Sequence, residues 1–118
     1  MAIQSFRDLV VWQKAHHNTV LIYKTFAELR DFSFRDQIQR ASVSVMNNIA
    51  EGYARRSDKA FYHFLCIAKG SNTEVESMII LARSLGYVSG AQYSTLTANN
   101  NEVGKLLSGF LKKLSANS

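Results

Sequence analysis

From Phe61 to Leu85, apolar and small residues return at strict three- and four-residue steps: Phe61, Phe64, Ala68, Ser71, Val75, Met78, Ala82 and Leu85. That rhythm describes an α-helix presenting one continuous seam to its neighbours. Ser57 stands where an N-cap belongs, and Gly86 where a left-handed C′ residue belongs. A helix is therefore expected over 58–85, about 28 residues and 42 Å long. A seam of that length has to be covered by partners of similar length.

The rest of the chain supplies them. A first helix over 6–30 carries Trp12, Ala15, Thr19, Ile22, Phe26 and Leu29, and Ser5 with Asp8 reads as a capping box at its start. The stretch RDFS breaks the pattern. Ser33 with Asp36 repeats the capping signature and opens a second helix over 34–55, with the stripe Phe34, Ile38, Ala41, Val45, Ile49 and Gly52. A fourth, over 90–114, carries Leu96, Val103, Leu107, Phe110 and Leu114; Asn99, Asn100 and Asn101 are poor helix formers, expected to fray or break it. No Pro occurs in 118 residues, so nothing interrupts the backbone N–H ladder, and strand-like alternation is nearly absent. Short connections make successive helices antiparallel neighbours. The expected fold is all-α: an antiparallel up-down four-helix bundle, one domain over 1–118, with disorder only before Ser5 and from Ser115 on.

Hydrophobic residues make up 47% and charged residues 19%, a globular balance that excludes an intrinsically disordered chain. The one cysteine, Cys66, excludes an intramolecular disulfide and suits a reducing cytoplasm. The opening MAIQSFRDLVVW has no basic stretch leading into an apolar run, so no signal peptide is expected, and no apolar run reaches membrane-spanning length. The net charge of +5 and an isoelectric point near 9.6 permit attraction to nucleic acid.

Three sets of residues stand out. The second helix is apolar over more than one face, with Val43, Met46 and Ala50 beyond its stripe, and the third carries Tyr62, Cys66 and Ile80 opposite its seam. Such surplus is expected to meet other copies of the chain. Arg40, Ser44, Asn48 and Glu51 border the second helix's stripe, and Ser71 and Glu74 lie near the third's. These read as a structural polar network tying the two helices or joining subunits, with Arg40 paired to Glu51 or to Glu74. Ser44 has no histidine three or four residues away, so a catalytic serine is not expected. Finally, Arg55, Arg56 and Lys59 crowd the turn between helices two and three, while Lys112 and Lys113, with Lys105 one to two turns earlier, lie near the C-terminus. Antiparallel packing brings these clusters to one rim, where they could hold a phosphate backbone or simply complement helix ends. His16, His17 and the pair His63 and Cys66 fall short of a metal-ligand set, so neither metal nor cofactor is expected.

QIQRASVSVMNNIAEGYARRS (37–57) followed by FYHFLCIAKGSNTEVE (61–76) closely resembles the four-helix-bundle family encoded in intervening sequences of bacterial 23S ribosomal RNA genes. The shared pattern runs through Gln37, Ile38, Arg40, Ala41, Ser44, Asn48, Ile49, Ala50, Glu51 and Gly52, then Phe61, Phe64, Leu65, Ile67, Ala68, Gly70, Ser71 and Glu74. Phe6, Leu9, Trp12, Ala15 and Tyr23 match its opening helix, and Gly86 with Tyr87 a later turn. The resemblance implies a pentameric ring of bundles. It also implies kinship to the accessory variability determinant of diversity-generating retroelements, a basic pentamer that works with a reverse transcriptase and nucleic acid. The expected function is thus a non-catalytic, cytoplasmic homo-oligomer, most simply a pentamer, that binds RNA or DNA through a basic rim. The alternative is a scaffold for a protein partner, such as a reverse transcriptase, without direct nucleic-acid contact.

Overall fold

Four α-helices follow one another: α1 Val10–Thr25, α2 Phe32–Ala54, α3 Asp58–Ser84 and α4 Gly90–Ala116. The computed structural model describes residues 3–116, and among them there is no strand. Each helix runs antiparallel to the next. Phe26 meets Phe34 with ring centroids 5.6 Å apart, while the Thr19 hydroxyl, further back on α1, donates to the Ser42 carbonyl further on in α2. Tyr53 meets Phe61, and Ser44 meets Ser71. Phe61 meets Phe110, Asn72 meets Asn100, and α4 returns to α1 through Asn18–Asn100 and Lys14–Glu102.

The ends of the elements depart from expectation where tertiary burial outweighs local signals. The Ser5–Asp8 capping box forms, but it opens only a 3₁₀ turn over Phe6–Asp8. Leu9 is extended and buried, bending the chain so that Phe6 and Leu9 close one end of the bundle before α1 begins at Val10. Helix α1 stops at Thr25, short of the expected residue 30: Phe26 leaves helical geometry and buries against Phe34. The cap of α2 is Asp31, not Ser33; its Oδ1 accepts from Phe34 N at 3.1 Å, so the helix starts at Phe32. Ser57 caps α3 as expected, its Oγ accepting from Ala60 N. Gly86, at φ 75°, closes it with Tyr87 N donating to Ala82 O and Gly86 N to Arg83 O, the paired bonds of a Schellman ending. Helix α4 continues through Ala116 and includes Ser115, where disorder was expected; Ile3, before Ser5, accepts from the Tyr53 hydroxyl at 3.4 Å. Residues 1, 2, 117 and 118 lie outside the described residues.

The core has two apolar halves. One, toward the α1–α2 and α3–α4 connections, gathers Phe26, Phe34, Ile38, Ile79 and Leu96; the other, toward the α2–α3 turn, gathers Leu9, Val45, Ile49, Leu65 and Leu107. Between them lies a layer of buried polar residues: Asn18, Thr19, Ser42, Asn72 and Asn100. Asn100 Nδ2 donates to Asn72 O at 3.1 Å and Asn72 Nδ2 returns a bond to Asn100 O at 3.2 Å, while Asn18 Nδ2 donates to Asn100 Oδ1 at 3.3 Å. The Asn99–Asn101 stretch therefore does not break α4; Asn100 is only 2% exposed and ties three helices. On α3 the buried seam is Leu65, Ala68, Asn72, Val75, Ile79 and Ala82, with Met78 buried beside it as expected. The seam runs through Asn72, and Ser71 faces α2 from its border. Leu85, expected in the core, is 50% exposed. Helices α2 and α3 approach closely at Gly52, where a Cβ would stand 2.7 Å from Phe64 Cβ.

Candidate nucleic-acid interface and polar seam

The turn between α2 and α3 is three residues long, and its middle residue, Arg56, sits at φ 57°, the only positive-φ residue other than glycine among those described. Arg55 ends α2 and Arg56 takes the left-handed position usually given to Gly. Arg55 Nη2 lies 2.9 Å from Glu51 Oε1, and its guanidinium carbon stands 5.1 Å from the Phe64 ring centroid. Both members of that ion pair are exposed, so water screens it and it fixes geometry more than stability. Arg56 and Lys59 are exposed and make no ion pair within the described residues.

Phe61, one turn into α3, packs on Phe110, so the last turns of α4 lie beside the α2–α3 turn. Lys112 and Lys113 stand there, exposed. The 3₁₀ turn closes the same end, which adds Arg7, a residue the sequence reading passed over because it lies far away in the chain. Among the described residues, Arg7, Arg55, Arg56, Lys59, Lys112 and Lys113 stand near this end with three acids, Asp8, Glu51 and Asp58, so cations outnumber carboxylates there. Lys105 does not join them. It lies about 10 Å further along α4 from Lys112 and lines the α3–α4 groove.

The six polar-network residues do not form one network. Ser44 Oγ and Ser71 Oγ are 2.8 Å apart, and Asn48 Nδ2 donates to Ser44 O at 2.8 Å and to Ser44 Oγ at 3.1 Å, a half-buried clasp between α2 and α3. Glu74 instead accepts from Gln37 Nε2 at 3.3 Å, and Glu51 turns to Arg55. Arg40 pairs with neither acid. Glu51 is three turns away, about 16 Å along the same helix, and Gln37 occupies Glu74. Arg40 is exposed over a groove of about 560 Å³ between α2 and α3, lined also by Ser33, Asp36, Gln37, Ser44, Ser71 and Glu74. No base touches the Ser44 hydroxyl; its partners are another hydroxyl and an amide.

Of the residues expected to meet other copies, Tyr62 (39% exposed), Cys66 and Ile80 (51%) lie on the surface of α3. Val43, Met46 and Ala50 are half-buried, and Met46 packs on the half of the core toward the α2–α3 turn. Ile67 and Leu81 on α3, Leu85 at its C-cap, and Val20 and Tyr23 on α1 are also exposed, a signal the sequence reading left out. His16 stacks on Trp12 and His63 lies edge-on to Phe64; no group of three or more potential metal ligands occurs among the described residues. No helix among them is long and apolar enough to cross a membrane. The clearest titration shifts lie at the opposite end of the bundle. There the Tyr87 hydroxyl donates to Asp31 Oδ2 at 2.7 Å, which, with the Phe34 N–H on Oδ1, holds the Asp31 carboxyl below the usual carboxylate range; the same bond raises the Tyr87 phenol.

A family model described as 23S rRNA-intervening sequence protein matches residues 7–109, which takes in the α2–α3 seam, the basic turn and most of α4. No curated protein matches the chain. Among solved structures, a protein of unknown function from the S23 ribosomal protein family of Bacteroides thetaiotaomicron is 30% identical. The alignment covers 87% of this chain and 99% of that one, with a TM-score of 0.82. A match over nearly the whole chain, in sequence and in the path of four helices, settles its kinship: the chain belongs to the 23S rRNA-intervening sequence protein family.

Proposed function

We propose that the protein is a non-catalytic, self-associating helical bundle whose basic end holds the phosphate backbone of RNA or DNA. The observation that carries the reading is the convergence of Arg55, Arg56, Lys59, Lys112 and Lys113, from two distant stretches of chain, on one end of the bundle. Such a surface attracts phosphates and contacts the backbone, so it binds many sequences alike. Self-association is supported by exposed apolar side chains on α3 and its C-cap (Ile67, Ile80, Leu81, Leu85) and on α1 (Val20, Tyr23). Val43, Met46 and Ala50 on α2 extend the candidate contact surface. In the five-membered ring that the family resemblance implies, the basic end repeats, and a weak patch gains by avidity. The setting is the cytoplasm, in keeping with a lone exposed thiol.

Fluorescence anisotropy with labelled RNA and DNA tests the reading. Binding is expected at low salt, falling steeply as salt rises, and Arg55→Glu/Arg56→Glu/Lys59→Glu weakens it for every sequence. Absence of binding at low salt removes the reading and leaves the exposed apolar surface as a scaffold for a protein partner. Sedimentation equilibrium tests the assembly: a single species of 13.3 kDa at micromolar concentration would refute self-association.

A further inference from the structure

We infer that the groove between α3 and α4 is a second phosphate-binding segment, continuous with the basic end, along which a single nucleic-acid strand lies. The inference rests on the nucleic-acid reading above and adds a path to it. Two stripes face each other across the groove. On α3, Lys59, Tyr62, Cys66, Lys69 and Thr73 recur at three- and four-residue steps, starting at the basic end. On α4, Lys112, Ser108, Lys105 and Asn101 recur at the same steps in the opposite direction. Between them, Lys69, Thr73, Asn101, Lys105 and Ser108 line an open space of about 380 Å³.

The chemistry of that lining suits a phosphodiester. Lys69 and Lys105 make no ion pair within the described residues. Lys69 Nζ donates to Ser108 Oγ at 2.8 Å, which holds the ammonium over the groove and leaves the serine proton free for an anionic oxygen. Gly104 keeps the floor low: a Cβ there would stand 3.0 Å from Asn72 Nδ2. Glu76 is the one carboxylate on the lining, at the end away from the basic turn, and it marks where a polyanion's path stops. From Lys112 to Lys105 is about 10 Å of helix, so successive phosphates of one strand can meet successive lysines. A single strand has, besides these cations, the exposed ring of Tyr62 on which an unstacked base can rest, which a duplex with its bases paired cannot use. This use assigns Tyr62 and Cys66 to the ligand and leaves subunit contact to the other exposed apolar residues.

The test compares wild type, Lys69→Glu/Lys105→Glu, and the triple reversal at Arg55, Arg56 and Lys59, by anisotropy with fluorescein-labelled single strands and duplexes across a salt series. All five positions are exposed, and circular dichroism with thermal melting verifies the fold. The double variant is expected to lower the log–log salt slope by about 1.4, and the affinity for single strands about tenfold at 0.2 M salt. A benzophenone attached to Cys66, the chain's one thiol, is expected to crosslink to a bound strand in wild type and not in the double variant. If the double variant binds like wild type while the triple reversal weakens binding, the groove is wrong and the basic end stands. If duplexes bind as tightly and lose as much, the single-strand path is wrong. If wild type binds no nucleic acid at low salt, the functional reading itself falls and the groove with it.

Discussion

Arg56 couples stability to the proposed function in opposite directions. Its φ of 57° brings Cβ toward the following carbonyl oxygen, which costs an L-residue about 1–2 kcal/mol and costs Gly nothing. Arg56→Gly removes that strain but gives the unfolded chain more freedom, which offsets about 0.4–1 kcal/mol. Arg56 makes no ion pair within the described residues and is exposed, so no side-chain contact opposes the gain. The expected net is a stabilisation of about 0.5–1 kcal/mol, or a rise in Tm of about 2–6 °C for a domain of this size. The same substitution removes one cation from the basic end and should lower the log–log salt slope of nucleic-acid binding by about 0.7–0.9. Melting is followed by helical circular dichroism at one fixed protein concentration, because an oligomer's Tm depends on concentration. Arg56→Ala is the control: it loses the charge, keeps the strained backbone, and should melt near wild type. A glycine variant that melts no higher than the alanine one would refute the strain argument.

Gly52→Ala should destabilise by about 1–2 kcal/mol in urea unfolding, because the new methyl meets the Phe64 Cβ at 2.7 Å and overpacking outweighs the better helix propensity. Asn100→Leu should lose about 1–3 kcal/mol, since it leaves the buried Asn18 amide without its acceptor; adding Asn18→Leu should recover most of that, and a double variant no more stable than the single one would count against the polar layer as a paired unit. Tyr87→Phe should raise the Asp31 pKa toward the ordinary aspartate value in a carbon-detected NMR titration. Because folding lowers that pKa, the carboxylate's contribution is present above the unfolded value and is lost as pH falls through the folded one, so the variant should lose part of the acid-side slope of stability.

Periodicity and caps made the four helices legible, because amphipathic burial is what holds them: Ser57 and Gly86 sit where the structure uses them. The bend at Leu9 had no local signal. Neither Gly nor Pro marks it, and it follows from burying Leu9 at the end of the bundle, a tertiary cause. Hydropathy also put the α3 seam on Ser71 when Asn72 holds it, since a buried asparagine looks like surface until its partner on another helix is known. Charge behaved likewise. The basic turn and the C-terminal lysines were readable because antiparallel geometry joins them, whereas Lys69 stands alone in an apolar run and gains meaning only across the groove from Ser108. Arg40 is the converse case: helical spacing brought it near two acids, and side-chain geometry gave both acids other partners.

The buried polar layer is not the most stable way to fill the middle of this bundle. Asn18 Oδ1 has no hydrogen-bond partner among the described residues, and leucines in its place would bury more apolar surface. What the layer supplies is register. The α3 seam repeats every seven residues, so a slip of α3 against α4 by one heptad, about 10 Å, would still match apolar to apolar along most of its length. It would also set Asn72 against Leu107 and Asn100 against Ile79, all buried, and a shift of α4 would carry the Asn100 Oδ1 away from the buried Asn18 Nδ2, leaving that amide without its acceptor at about 1–3 kcal/mol. The reciprocal bonds between Asn72 and Asn100 exist in one alignment. That alignment is also the one that stacks Phe61 on Phe110, sets Lys69 on Ser108, and brings Lys112 and Lys113 beside the α2–α3 turn. A loss of stability at the centre of the bundle thereby fixes the geometry of its basic end.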